Sequence, residues 1–168
     1  MPDPSEQPQH TEIADVGEFG LIAHMRDTLG PPEDDSVVSG IGDDAAVYRV
    51  DDDRVHVATA DQLTEGVHFD RTFMPMEHLG FKALSVNVSD VVAMNAQPRY
   101  AIVSIGLSKQ ASVEMVQELY EGVKQACDAY DVTVVGGDTN SAHALSLSVT
   151  VIGEAQDEDI VYRGGAQI

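Results

Sequence analysis

The 168 residues predict an α/β (α+β) domain, a mixed sheet backed by helices. Three observations lead there. Segments of strand character and segments of helical periodicity interleave along the chain, the pattern of a layered fold rather than a bundle or a sandwich. Apolar residues make up 43% of the sequence, enough at this length to bury one sizeable core. Leu145, Leu147, Val149 and Val151 alternate strictly with polar residues, as in a strand with one apolar face.

The elements follow in order. Residues 1–14 are polar, acidic and proline-containing, so they are expected to form a disordered tail, with the folded domain running over 15–168. In "GEFGLIAHMRDTLGPP" the residues Phe19, Ile22, Met25 and Leu29 fall on one helical face, stopped by Gly30 and two prolines. "PPEDDSVVSG" reads as a loop. "AAVYRV" and "VHVATA" read as two strands around the acidic turn at 51–53, a hairpin. Residues 78–95 predict a helix that ends before Pro98, followed by the strand "YAIVSIGL". Over 112–130, Val113, Val116, Tyr120, Val123, Cys127 and Tyr130 make one helical stripe. "VTVVGG" is a short buried strand, and 144–155 is the alternating one. The last residues, "YRGGAQI", carry no closing element, as expected of part of a longer chain.

Charge narrows the function. Nine Lys and Arg stand against 29 Asp and Glu, a net −20, and only Lys82, Lys109 and Lys124 are lysines. A basic nucleic-acid face is therefore excluded. So large a charge destabilises the compact state by self-repulsion in dilute buffer, and about 1 M salt, where the Debye length is roughly 3 Å, screens it. A lysine-poor, aspartate-rich chain with an ordinary core points to a salt-loving source. No apolar run is long enough to span a membrane, and the N-terminus lacks the basic and apolar regions of a signal peptide. Cys127 is alone, so no internal disulfide forms, and a cytoplasmic location is expected.

Five aspartates sit where strands end or where an acid is costly. Asp43 and Asp44 follow Gly42, Asp61 closes "VHVATA", Asp90 lies in the apolar-to-small helix stretch "SVNVSDVVAM", and Asp138 follows two glycines. Strand ends are where α/β sites assemble, and an acid on an apolar helix face needs a cation or a hydrogen bond. Each has a plain structural alternative as a turn residue, a cap or a surface acid. Together, without basic residues near them in sequence, they suggest Mg²⁺, a hard ion with oxygen ligands. "GIGDDA" also imitates a dinucleotide fingerprint, but two carboxylates in a phosphate cradle and no following helix argue against it. No P-loop, kinase signature, zinc spacing or nucleophilic dyad is present. His68 in "TEGVHFD" stands out from the other histidines, although a lone histidine is as often structural.

Taken together, "GIGDDAAVY", "TADQLTEGVHFD", "LGFKALSVNVSDVVAMNAQPRYAIVSIGL" and "VVGGDTN" closely resemble the N-terminal, ATP-binding domain of the thiamine-monophosphate kinase family, in the aminoimidazole ribonucleotide synthetase-like superfamily. The resemblance covers residues 17–165 and implies ATP-dependent phosphorylation of thiamine monophosphate to thiamine diphosphate, with several Mg²⁺ ions and a C-terminal domain absent from this chain. It implies metal ligands at Asp44, Thr59, Asp61, Asp90 and Asp138, and a further metal position at Ala60, where the family usually carries a hydroxyl. It also implies ATP contacts at Gly137, Asp138 and Arg163, and a substrate contact at His68. Two chains would join their sheets into a β-barrel across a homodimer, with the 145–151 face as the kind such a barrel buries. The acceptor is itself an ionised phosphate, so no general base is expected, and Asp43 would shape the turn or act from outside the metal shell. The rivals are a selenophosphate synthetase or hydrogenase-maturation type of the same superfamily, and a non-catalytic, dimerising nucleotide-binding module.

Overall fold

The computed structural model describes residues 11–166, which fall into two compact units divided after Asp34. Residues 1–10 of the expected tail lie outside the described residues, and Ile13 and Ala14 already belong to a helix. That first helix, α1 (Ile13–Leu29), is the substance of the first unit. Gly17 breaks it with a non-helical backbone (φ 66°), and Gly30 stops it by returning its N–H to the Arg26 carbonyl. Phe19, Met25 and Leu29, three of the four residues of the expected apolar face, are exposed.

The second unit is a six-stranded mixed sheet with two helices. Strands β1 (Val37–Ser39), β2 (Ala46–Arg49), β3 (Arg54–Thr64), β4 (Gln97–Leu107), β5 (Thr133–Ser141) and β6 (Ser146–Gln156) lie in the order β1-β2-β3-β6-β4-β5. Only β4 and β5 pair in parallel, joined through a helix. The hairpin is as read, with Tyr48 opposite His56. Three boundaries differ. A short strand sits inside the expected loop, because Val37 and Ser39 find partners on β2. β3 does not close at Asp61 but runs to Thr64, since β6 is long enough to pair with all of it, Thr64 opposite Ser146. Likewise β5 continues through Asp138 to Ser141 along β4.

Helices α2 (Met76–Ala93) and α3 (Val113–Tyr130) pack on each other and on the odd-numbered face of the sheet. Leu79, Leu84, Val88 and Val91 of α2 are buried with Val55, Val57, Val103, Leu147, Val149 and Val151. The alternating stripe of β6 is therefore covered by helix within the chain, so it is not the face that a dimer barrel would bury. The expected stripe on α3 is only partly the buried face: Val123 is buried and Cys127 and Tyr130 pack against the core. Leu119, Gly122, Val123 and Ala126 face inward, while Val113 is 70% exposed. The reason is backbone proximity: a Cβ at Gly122 would stand 1.7 Å from the Glu77 carbonyl oxygen of α2, so the helices meet where a side chain is missing. The Ser112 side chain caps α3 by accepting the Met115 N–H at 3.2 Å. Among the described residues no helix is long and apolar enough to cross a membrane.

Candidate functional site

The site is built where β3 runs past the end of β2. The last β2–β3 pair is Ala46–Ala58, so from Thr59 onward one edge of β3 has no strand beside it. There α2 takes over. Thr59, 8% exposed, donates its hydroxyl to Asp90 Oδ2 at 3.0 Å. Two residues on, the Asp61 N–H donates to Asn87 Oδ1 at 2.9 Å. Asn87 and Asp90 are one helical turn apart, and Thr59 and Asp61 share one strand face, so the two bonds are successive rungs between helix and strand.

Burial pushes the Asp90 carboxyl above the ordinary carboxylate range; the Thr59 bond pulls it back, and the charges of Asp61 and Asp44 push it up again. An acid that its surroundings disfavour as an anion is held in want of a cation. In the present arrangement the cation is Arg163, on the short 3-10 turn Arg163–Gly165, paired with the Asp44 carboxylate. Its own pKa is raised, first by that bond and then by the charges of Asp44, Asp43 and Asp90. Asp43 does different work. One of its oxygens accepts the Asp44 N–H at 2.9 Å, and both accept the Arg163 backbone N–H, at 3.2 and 3.3 Å. It thus shapes the turn and ties down the segment that carries Arg163. Farther back, that segment is pinned by Asn95 Nδ2 to the Asp159 carbonyl and by the Val161 N–H to the Met94 carbonyl.

The structure thus brings Asp44, Thr59, Asp61, Asp90 and Arg163 into one neighbourhood and leaves four expected residues, Ala60, His68, Gly137 and Asp138, apart from it. Asp138, on β5, pairs with Ser104 of β4 and lies three strand spacings (about 14 Å) from β3. By register it lies on the even-numbered, open face. Ala60 also points to that face, so the missing hydroxyl takes nothing from the Asp61 side. His68 sits in the turn after β3. Its Nδ1 accepts the Thr64 N–H at 3.0 Å, which places the ring proton on Nε2, and its carbonyl accepts Lys82 Nζ at 3.1 Å. Exposed Val67 and Phe73 flank it. Gly137 shares the Asp61–Val149–Val103 row, and a Cβ there would meet the Val103 carbonyl oxygen at 1.9 Å, so only glycine fits.

Oxygen donors with no nitrogen or sulfur among them suit a hard cation. Among the described residues, however, no three acidic, histidine or cysteine side chains are gathered closely enough to enclose one ion. Sequence reasoning missed one feature. Leu107, Ala111, Val113, Val116 and Tyr120 line an apolar hollow of about 420 Å³ at the start of α3. Its signal was the outer part of the α3 stripe, since those residues fit a helical period yet face outward. Cys127 is half-buried and its thiol is pushed up by burial, so it is a packing residue rather than a nucleophile.

Residues 42–155 match the family model described as AIR synthase related protein, N-terminal domain. The thiamine-monophosphate kinase of Aquifex aeolicus is 40% identical over 156 residues, which are 93% of this chain and 47% of the relative. That of Bacillus subtilis is 37% identical over 142 residues, 84% of this chain and 43% of the relative. The solved structure of AaThiL complexed with AMPPCP and TMP superposes with a TM-score of 0.83 at 38% identity, covering 95% of this chain and 48% of the other. The chain spans about half the length of the relatives it matches.

Proposed function

The chain belongs to the AIR synthase-related family through its N-terminal domain, and from that premise we propose that it binds Mg-ATP for the phosphorylation of thiamine monophosphate to thiamine diphosphate. The observation that carries this is the convergence of Asp44, Asp61 and Asp90 with Arg163, in a chain otherwise poor in cations. Support comes also from the 40% identical relative and from the similar structure complexed with AMPPCP, a non-hydrolysable ATP analogue, and TMP.

In this proposal Asp44, Asp61, Asp90 and Asp138 hold metal, with Thr59 fixing the Asp90 carboxylate. Bound there, Mg²⁺ supplies neutralisation and alignment of two polyanions. Arg163 turns from Asp44 toward the nucleotide phosphates. Gly137 lets the backbone approach closely beside Asp138, and the hollow at Val113, Val116 and Tyr120 takes the apolar face of the base. His68, with Nε2–H outward, meets the thiamine substrate. No side chain is asked to remove a proton, because the attacking phosphate oxygen is already ionised at neutral pH. A second copy would meet the open face, where Tyr100 and Ile102 are exposed, rather than the helix-covered 145–151 face.

The test is formation of thiamine diphosphate from thiamine monophosphate and ATP, by the 168-residue chain alone and by the chain extended with the C-terminal half of a relative. The extended chain is expected to form product and the chain alone to bind Mg-ATP without turnover, because the other half of the site fixes the acceptor. Brisk turnover by the chain alone would contradict the division of labour. No product from the extended chain, despite Mg-ATP binding, would contradict the substrate.

A further inference from the structure

Among the described residues only two polar side chains are buried, Thr59 and Asn87, and both are committed to the rungs beside Asp61 and Asp90. Thr59 touches a carboxylate proposed to hold metal. Asn87 touches no carboxylate at all. It is fully buried in α2, its amide donates to the Ala83 carbonyl at 3.1 Å, and its oxygen accepts the Asp61 N–H at 2.9 Å. The helix satisfies its own backbone without an asparagine, so the polar demand met here is that of the Asp61 N–H on the neighbouring strand. What the asparagine adds is an acceptor where β2 has ended and β3 has lost its strand partner.

We propose that Asn87 is a positioning residue for Asp61. Resting on the metal-site reading above, it fixes the backbone of residue 61 so that the Asp61 carboxylate leaves the strand on the same face as Thr59, one rung from the Thr59–Asp90 bond. The two rungs act as a ruler: Asp90 is held directly through Thr59, and Asp61 indirectly through its own backbone. Removal of the Asn87 oxygen frees the strand edge at residue 61 and lets the carboxylate wander, while the helix and the core remain. Loss of an outer partner of this kind typically lowers metal affinity by 10- to 100-fold.

The experiment uses the 168-residue chain and reads Mg²⁺-dependent ATP binding by calorimetry, with hydrogen exchange at the Asp61 amide. The variants are Asn87→Leu, Asp61→Asn, their double variant, and Val88→Ala, which removes core packing on the same helix. Asn87→Leu is expected to weaken Mg²⁺-dependent ATP binding on the order of tenfold and to abolish exchange protection at residue 61. The double variant should bind no worse than Asp61→Asn, because the asparagine acts only through that carboxylate. Val88→Ala should lower the melting temperature and leave affinity unchanged. Additive losses in the double variant, or an Asn87→Leu chain that melts earlier yet binds as well as wild type, would overturn the role of Asn87 and leave the metal site standing. A wild-type chain whose ATP binding ignores Mg²⁺ would overturn the metal site and this proposal with it.

Discussion

Two groups of aspartates lie a short stretch of chain apart and are held in opposite ways. In the hairpin turn, Asp51 accepts the N–H groups of Asp53 and Arg54 at 3.2 and 2.9 Å and pairs with the Arg54 guanidinium at 2.6 Å. Those bonds, the Arg54 side chain first, hold its carboxyl below the ordinary range. On α2, facing β3, Asp90 is pushed the other way, by burial first and then by Asp61 and Asp44. Same residue type, same acidic chain; one carboxylate is made comfortable as an anion and the other uncomfortable. What separates a turn from a candidate metal site is therefore not the presence of acids but whether the structure has already satisfied them.

The largest effect expected from this contrast is in nucleotide binding. Asp61→Asn, which keeps shape and removes charge, should cost roughly 1–3 kcal/mol in Mg-ATP affinity, the scale of a lost charged hydrogen-bond partner. Asp52→Asn, in the hairpin turn, should cost nothing measurable. Fluorescence titration of both variants checks this, and equal effects would erase the distinction between the two groups.

Salt should come next. A rise from about 0.1 to 1 M KCl shortens the Debye length from roughly 10 to 3 Å, so the repulsion of a chain at −20 is relieved and the melting temperature should climb. A flat melting curve would remove the halophilic expectation while leaving the site untouched.

The smallest effects should be opposite in sign. The folded-state pKa of Asp51 is lowered, so its contribution to stability is present above the unfolded pKa and lost as pH falls through the folded one. The folded-state pKa of Asp90 is raised, so its contribution is present below the unfolded pKa and lost as pH rises through the folded one. At neutral pH and without metal, Asp90→Asn should therefore raise the melting temperature slightly and Asp51→Asn should lower it. Thermal melts in EDTA decide the matter, and shifts of the same sign would show that the two environments do not differ.

Much of this was legible in the sequence. The interleaved periods and the strict alternation at 145–151 led to a helix-backed sheet, and Asp44, Asp61 and Asp90, singled out by their places in the sequence, are neighbours in the fold. What stayed hidden depended on neighbours distant in the chain. Asp61 reads as a strand end because its own neighbours turn polar, yet β6 carries the pairing on to Thr64. The α3 stripe reads through Val113 and Tyr120, yet Gly122 lets the backbone of α2 come so close that the buried face rotates away from them. Asn87 reads as an unremarkable polar residue in a helix, because only the register of α2 against β3 reveals what its oxygen accepts. Asp138 looked like a companion of Asp61, and strand order sets it three strands away on the open face.

In the proposed function Asp44, Asp61 and Asp90 repel ATP until metal makes them its anchor, and one measurement tests this directly. ATP is titrated calorimetrically into wild type and Asp61→Asn, each with Mg²⁺ and with EDTA, in about 1 M KCl to screen long-range charge. With Mg²⁺ the variant should bind more weakly than wild type. With EDTA it should bind no worse, and better if any binding is seen, because a charge that opposes the triphosphate is gone. That reversal of sign between the two conditions is the predicted result. An Asp61→Asn effect of the same sign and size with and without metal would contradict the claim, and would return Asp61 to the status of an ordinary strand residue.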